Sequence, residues 1–351
     1  MQLKDFDYFL PEELIAQSPL EKRDHSRLLI VDKKTGEKCE KKFYEMVDFL
    51  WENDVLVLNK TQVIPARLYG EMDIFPNGKQ EIKNVEILLH KEISANTWEC
   101  LGYPGKNLKV GRMIRFFDAE KNLILTGKIL KVSEMGRFIE FSASWYELLK
   151  ILHTLWEVPL PPYITRKLDD ISRYQTVYSQ TPGSAAAPTA GLHFTQELLE
   201  KIEKKWVKIE KVLLHVWVGT FKPVETSNIT DHQMHSEYIE IEPEVAERLN
   251  EYKKNGKRII AIGTTSVRTL ESFADENGIL HAWQKETAIF IYPWYKWRFV
   301  ESLVTNFHLP MSTLLMLVSS LSSREIIMDS YNYAVENKFR FFSFWDAMWI
   351  K

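Results

Sequence analysis

The chain has 351 residues, of which 45% are hydrophobic and 26% charged, and its formal net charge is −3. This composition indicates a globular protein, excludes a disordered or fibrous one, and at this length favours two domains. A slightly acidic chain shows no overall charge preference for nucleic acid, so the net charge leaves the partner open.

The N-terminus and the cysteines indicate an intracellular protein. Residues 1–7 contain two acids and no apolar stretch, so they do not resemble a signal peptide. No apolar run approaches the roughly 18 residues that a membrane span needs. Cys39 and Cys100 lie far apart without metal-ligand spacing, which argues against a disulfide framework. We therefore expect a cytoplasmic protein, without a membrane segment and monomeric.

The first elements are typical of an α/β protein. Leu10–Gln17 begins with a proline and acids, which predicts a short helix. The segment Arg23–Arg27 leads into a predicted strand, Leu28–Asp32. The two arginines of this segment could hold an anion or pair with nearby acids, and we favour the pairing. Asp54–Asn59 is a continuous apolar run of strand length, the pattern of a strand buried on both faces.

From residue 68 to about 141 the pattern changes to short strands separated by turn residues. Regularly spaced strands without helices predict a small antiparallel β-barrel. The predicted strands are Val85–Leu89, Thr97–Leu101, Met113–Phe117, Leu123–Leu130 and Phe138–Phe141. A predicted helix, Trp145–Thr154, follows them. We therefore expect a mixed α/β core domain, residues 1–67 and 151–351, with an inserted β-barrel domain at 68–150.

The stretch Gly183–Thr195 is rich in glycine, alanine and hydroxyl side chains. Pro188 and Gly191 argue against a continuous helix, and the small side chains argue against a core strand. The composition alone fits a linker equally well, but small residues also allow a backbone to approach a ligand closely. The stretch ends at His193 and at Thr195, a suitable N-cap for the next helix.

Strands and helices then alternate, with polar residues where the strands end. The predicted elements are a helix from Thr195 through Lys205, a strand Lys208–Val216, a helix Pro243–Lys254, a strand Lys257–Ile262 and a helix Leu314–Leu321 capped by Ser312. Between them Gly263–Glu271 is a strand-to-helix turn whose amides and hydroxyls suit an anion. This alternation predicts an α/β core with its site at the strand ends.

Five of the nine histidines lie in these polar segments, which favours a shared pocket. His232 and His235 with Glu237 also allow a metal site, although the spacing is weak and no HExxH pattern is present. No GxGxxG follows a strand, which argues against a dinucleotide site, and Gly183-Ser184-Ala185 does not match the GxSxG elbow of serine hydrolases.

Several long motifs resemble one family along essentially the whole chain. They are LPxELIAQ at 10–17, RDxSRLL at 23–29, GSAAAPTAGLHFT at 183–195, AIGTTSVRTLES at 261–272 and TNFHLPxSTLLMLVS at 305–319. In this order they are similar to the S-adenosylmethionine:tRNA ribosyltransferase-isomerases of queuosine biosynthesis. The resemblance implies the same fold, an α/β core with an inserted barrel.

The resemblance also implies a reaction. S-adenosylmethionine donates its ribosyl unit to 7-aminomethyl-7-deazaguanine at the tRNA wobble position, adenine and methionine leave, and the rearranged sugar gives epoxyqueuosine. A base must remove a ribose proton beside the sulfonium and a donor must assist adenine departure, tasks that suit histidines or a carboxylate. No metal or redox cofactor is implied, and S-adenosylmethionine is a co-substrate.

Residue type and position within the motifs assign two sets of site residues, with no metal ligand. The candidates for proton transfer are His193, His215, His232, His235, Glu237 and His308. The candidates for substrate binding are Arg67, Ser184, Pro188, Thr189, Ala190, Gly191, Gly219, Thr220, Phe221, Thr264, Thr265, Ser266, Arg268, Asn306, Ser312 and Asp346. We expect His193 to face the ribose or adenine, and the Thr264–Arg268 turn to hold the methionine carboxylate or an RNA phosphate.

Two other functions remain open at this point. A metal-dependent hydrolase would use His215, His232 and His235, and a non-catalytic relative would bind tRNA without releasing adenine.

Five tryptophans stand where the resembled family normally has glycine. They are Trp156, Trp206, Trp217, Trp294 and Trp345. Replacing glycine by tryptophan adds a bicyclic side chain and disfavours positive φ, so Trp217 and Trp294 should disturb the site most. Our hypothesis is that the source organism reads UGA as glycine at these positions; UGG codons in the gene would contradict it.

Overall fold

A computed structural model describes residues 1–133, 136–155, 170–217, 224, 226–341 and 344–351. Its strands are β1 (Arg27–Val31), β2 (Lys38–Lys42), β3 (Asp54–Asn59), β4 (Thr61–Val63), β5 (Arg67–Ile74), β6 (Glu81–Ser94), β7 (Thr97–Tyr103), β8 (Met113–Phe117), β9 (Leu123–Val132), β10 (Arg137–Phe141), β11 (Thr181–Ser184), β12 (Lys208–Leu214), β13 (Glu237–Ile241), β14 (Arg258–Ile262), β15 (Trp283–Thr287), β16 (Ser302–Asn306) and β17 (Ala347–Ile350). Its α-helices are α1 (Trp145–Leu155), α2 (Gln196–Lys204), α3 (Pro243–Lys254), α4 (Thr264–Phe273), α5 (Thr313–Ser320) and α6 (Arg324–Glu336).

The chain divides into two units, which we describe separately. The core unit comprises Met1–Gln62, Pro161–Thr181 and Ala187–Lys351, and the barrel unit comprises Val63–Leu160 and Pro182–Ala186. The domain limits drawn from the sequence, at residues 67/68 and 150/151, stay a prediction.

A nine-stranded mixed sheet forms the centre of the core unit. Its order is β15-β13-β12-β3-β14-β16-β17-β1-β2. The four adjacent strands β12, β3, β14 and β16 are parallel, whereas β17 runs antiparallel to β16 and parallel to β1. Every residue of β3 and β16 is buried, as expected for apolar central strands covered on both faces. The core domain is therefore of the mixed α/β class that the sequence predicts.

A closed six-stranded barrel, β10-β7-β6-β5-β8-β9, forms the barrel unit, and its neighbouring strands are all antiparallel. Inward side chains such as Ile87, Ile114 and Ile139 are fully buried. Alternation of buried and exposed residues along β9 explains why this region is recognisable as strands in the sequence. The predicted barrel is confirmed.

Two local predictions need correction. Leu10–Gln17 is not a regular helix: only Glu12–Leu14 forms a single 3-10 turn. Its backbone pairs instead with Phe341, which donates to Leu14 O at 2.8 Å and accepts from Ala16 N at 3.1 Å. Gly183–Thr195 is not loop throughout, because it begins in β11 and continues into a 3-10 helix, Thr189–His193.

Two of the five tryptophans have a left-handed backbone. Trp206 (φ 64°) follows the C-cap of α2 and donates to Glu203 O, and Gly256 (φ 72°) takes the same position after α3. Trp294 (φ 80°) is the third residue of the turn 292–295 and comes directly after Pro293. The turn is closed by Tyr295 N, which donates to Tyr292 O. Both are positions that glycine usually fills, a helix C′ site and a type II turn.

The five tryptophans also differ in how far their side chains are exposed. Trp206 and Trp294 expose 73% and 75% of their surface, whereas Trp217 and Trp345 are buried. Trp156 lies outside the described residues.

Candidate functional site

The site is built on one edge of the core sheet. The parallel strands β12, β3, β14 and β16 all end there, and β17 and β1 begin there because they run opposite to β16. We call this the carboxyl edge. It carries His215 after β12, Thr61 after β3, Gly263 after β14 and Asn306 at the end of β16. Ligands of open α/β sheets bind at such an edge.

His193 lies at the β16 side of the carboxyl edge, at the end of the 3-10 helix. Its Nε2 is 2.9 Å from Asn306 Nδ2 and its Nδ1 is 2.8 Å from Ser26 Oγ. With the Asn306 amide as donor, Nε2 accepts, so Nδ1 carries the proton and donates to Ser26. The ring packs against Phe43 with centroids 4.8 Å apart. Three distant segments therefore fix one imidazole and its tautomer.

Close packing also fixes the 3-10 helix that carries His193. A Cβ added to Gly191 would lie 1.9 Å from Tyr178 Oη, so only glycine fits between this backbone and the tyrosine. Pro188, Thr189 and Ala190 complete the same turn, and Ala190 Cβ would be 3.6 Å from a Cβ on Gly263 at the start of α4.

Asp346 holds the beginnings of two strands together beside His193. Its carboxylate accepts from Arg27 N at 2.8 Å, from Arg340 N at 2.8 Å and from Arg340 Nη2 at 3.0 Å. Asp346 is 2% exposed, so donors of the protein itself satisfy its carboxylate.

His308 is a second buried imidazole near β16. Its Nε2 is 2.9 Å from Thr305 Oγ1, and its backbone N donates to Tyr331 Oη at 2.9 Å. Tyr8 donates its hydroxyl proton to His308 O. Ring centroids of His308 and Trp345 are 6.3 Å apart.

His215 and Glu237 lie at the β12 side of the carboxyl edge. His215 Nδ1 is 2.7 Å from Thr61 Oγ1, and its ring stacks on Tyr238. Glu237 forms an ion pair with Arg268 of α4, and both side chains are almost wholly buried. Among the described residues, Arg268 Nε and Nη2 have no hydrogen-bond partner. A buried arginine with free donors is suited to a carboxylate or phosphate.

Burial decides the protonation of these groups. It lowers the pKa of His193 and His215 to about 4 and that of His308 to about 3, so all three imidazoles are neutral at pH 7. Burial also lowers the pKa of Arg268 to about 10, which still leaves it charged at pH 7. A neutral imidazole can accept a proton but cannot act as an imidazolium acid.

The remaining predicted site residues are placed as follows. Ser312 caps α5 by accepting from Leu315 N. Thr264 and Thr265 lie in the first turn of α4, and Ser266 of the same turn donates to Ile262 O at the end of β14. His232 contacts Phe290, and His235 lies in the irregular segment before β13. Arg67 and Ser184 belong to the barrel unit, where Arg67 pairs with Glu86 and Ser184 donates to Ala186 O. Gly219, Thr220 and Phe221 lie outside the described residues.

Within the part of the chain that the structure describes, no three His, Cys, Asp or Glu side chains are grouped so that they could hold a metal ion. No helix among the described residues is long and apolar enough to span a membrane.

A small pocket opens to solvent beside His193 in the core unit. Arg23, Arg173, Arg340, Ser26, Leu20 and Trp345 are among its lining residues. The sequence analysis missed Arg173, Arg340 and Ser26 as site residues. Arg23 was expected to pair with an acid, but its guanidinium donates to the carbonyls of Gln175 and Ser172 instead; Arg27 does pair with Glu40.

The chain is an α/β protein whose mixed sheet carries histidines, an amide and a buried arginine at its carboxyl edge, the edge at which open α/β sheets bind their ligands. The family model described as "Queuosine biosynthesis protein" matches residues 3–350. The chain belongs to this family of queuosine biosynthesis proteins.

Curated relatives and one solved structure agree with the family match. The chain is 50% identical over 350 residues to an S-adenosylmethionine:tRNA ribosyltransferase-isomerase of Carboxydothermus hydrogenoformans, and 51% identical over 354 residues to one of Acetivibrio thermocellus, with all of each chain covered. The crystal structure of an S-adenosylmethionine tRNA ribosyltransferase from Thermotoga maritima is 36% identical, with a TM-score of 0.54, covering 99% of this chain and 100% of that one.

Proposed function

We propose that this protein is an S-adenosylmethionine:tRNA ribosyltransferase-isomerase. It transfers and isomerises the ribosyl unit of S-adenosylmethionine onto 7-aminomethyl-7-deazaguanine at the tRNA wobble position, giving epoxyqueuosine and releasing adenine and methionine. The observation that carries the proposal is the neutral His193, held by Ser26 and Asn306 beside an open pocket, in a chain of this family.

Neutral imidazoles support the proton-abstraction step. The sulfonium of S-adenosylmethionine acidifies the neighbouring ribose protons, and a base without positive charge does not repel this cation. With Nδ1 donating to Ser26, His193 has Nε2 as its basic nitrogen, and Asn306 is the group that must release it. His215, His308 and Glu237 are the further candidates for proton transfer, including the proton that adenine takes up as it leaves.

The dimensions of the carboxyl edge suit the co-substrate. Three strand intervals separate β12 from β16, about 14 Å at the usual spacing of paired strands. An extended S-adenosylmethionine is of comparable length. We propose that its methionine carboxylate meets Arg268 and the Thr264–Ser266 turn, and that its ribose and adenine lie towards His193. The reaction, as proposed, requires no metal or redox cofactor.

The test is a turnover assay with S-adenosylmethionine and tRNA that carries 7-aminomethyl-7-deazaguanine. Adenine release is followed by chromatography and the modified nucleoside by mass spectrometry. His193→Gln and His193→Ala should lower kcat by about a hundredfold or more, as expected for a general base. His281→Asn, which changes an exposed histidine, is the matched control.

Two outcomes would contradict the proposal. Wild-type protein that binds tRNA but releases no adenine would be a non-catalytic relative. Wild-type rates in both His193 variants, with native circular dichroism, would show that another group is the base.

A further inference from the structure

Three arginines converge on the pocket beside His193. Arg23 comes from the segment before β1, Arg173 from a 3-10 helix at Ile171–Tyr174, and Arg340 from the segment after α6. All three belong to the core unit. Segments far apart in the sequence therefore bring three permanent positive charges to one cavity.

Acidic groups compensate only part of this charge. Asp346 accepts from Arg340, and Asp170, the exposed N-cap of the 3-10 helix, interacts with both Arg23 and Arg173. The hydrogen bonds of the Arg23 and Arg173 side chains go to neutral backbone carbonyls. These are Gln175, Ser172 and Leu192 for Arg23, and Leu20 and Glu21 for Arg173. Burial and the charge of Arg173 lower the pKa of Arg23, as expected in a positive environment.

One donor in the cavity wall is unused. Among the described residues, Arg173 Nε is buried and has no hydrogen-bond partner. Leaving a buried charged donor unpaired costs free energy, so a ligand that accepts from it gains that free energy. Because backbone carbonyls hold Arg23 and Arg173 in place, their positions are set before any ligand arrives.

We propose that this pocket binds a backbone phosphate of the RNA substrate next to the nucleotide that is modified. The inference rests on the proposed function and adds a position for the acceptor. Two carboxylates, Asp346 and Asp170, face three guanidinium groups, so a phosphodiester supplies the one negative charge that is missing, and its oxygens accept from arginine forks. The apolar Leu20, Phe344 and Trp345 line the same pocket and can pack against the adjoining ribose.

A carboxylate is the other anion that such arginines could hold. Arg268 already offers two unpartnered buried donors at the opposite end of the carboxyl edge for the methionine carboxylate. The pocket beside His193 is therefore assigned to the RNA, and the binding of each substrate can be measured separately.

The experiment compares the salt dependence of tRNA binding in full-length variants. Unmodified tRNA transcript is titrated at several salt concentrations by filter binding or fluorescence anisotropy. Removing one phosphate contact with Arg173→Gln should reduce the slope of log K against log[salt] by about 0.7–0.9, whereas Arg173→Lys, which keeps the charge, should retain most of it. Arg248→Gln removes an arginine of α3 that pairs with Glu210 of β12, and it is the matched control.

S-adenosylmethionine binding, measured by calorimetry, should be unchanged in Arg173→Gln. A wild-type salt slope in Arg173→Gln, or a loss of S-adenosylmethionine affinity with tRNA binding intact, would overturn the proposal. If Arg173→Gln does not fold, Arg340→Gln is measured with the same criteria. Because the assay needs no turnover, a failure of the ribosyl transfer leaves its result standing.

Discussion

The left-handed tryptophans allow a prediction whose sign depends on the backbone alone. At Trp206 and Trp294 we compare substitution by glycine with substitution by alanine. Both changes remove the same indole and whatever contacts it makes, so their difference isolates the cost of a Cβ at positive φ. That cost is about 1–2 kcal/mol for an L-residue in the left-handed region. The glycine variants should therefore be more stable than the alanine variants by about 1 kcal/mol at each position.

Trp283 is the matched control, because it is 69% exposed but lies in the strand β15. There glycine should be less stable than alanine by about 0.5–1 kcal/mol, since glycine loses more conformational freedom in a strand. The free energy of unfolding is measured by urea denaturation with a common slope for all variants. Equal stabilities of the glycine and alanine variants at Trp206 and Trp294 would refute the reasoning, and with it the structural support for glycine at these two positions.

Two further predictions concern the packing beside His193 and the protonation of the buried histidines. Gly191→Ala should destabilise the protein because the new Cβ meets Tyr178 Oη, and Tyr178→Phe in the same chain should recover part of the loss in a thermal melt; no loss in the single variant would contradict the packing. The free energy of unfolding should fall as the pH drops from about 6.5 towards 4, with each buried histidine contributing up to about 1.4 kcal/mol per pH unit. The sign follows because the pKa values of His193, His215 and His308 are lower in the folded protein than in the unfolded chain, which therefore binds more protons in this range. His215→Gln should make this dependence shallower, and an unchanged slope would show that His215 is not buried in its neutral form.

The sequence is most informative where a pattern is local. β3 and α3 have the predicted limits, because an apolar run and a proline at the first helical position mark them directly. The N-cap of α2 is confirmed, since Thr195 accepts from Leu198 N. The fold class is also confirmed, because alternating elements and regularly spaced strands have few other solutions.

Partnerships between distant segments could not be predicted in this way. The contacts of His193 with Ser26 and Asn306 form only because β1 and β16 meet at the carboxyl edge. The spacing of these residues along the chain does not indicate the order of the strands in the sheet. Of the pocket arginines, only Arg23 lies in a segment for which the sequence left anion binding open. Arg173 had no recognisable signal, because its partners are backbone carbonyls, which every sequence contains. The assignments of individual site residues stay predictions until the variants are measured.

The position of β17 has a consequence for synthesis on the ribosome. This strand separates β16 from β1, and Asp346 at its start joins Arg27 across 319 residues. Until β17 emerges, β16 presents an unpaired edge and the β1–β2 hairpin has no strand to join. Nascent chains that stall before this point are thus the ones that we expect to depend most on chaperones, because the core sheet and the neighbourhood of Asp346 form only once β17 is made.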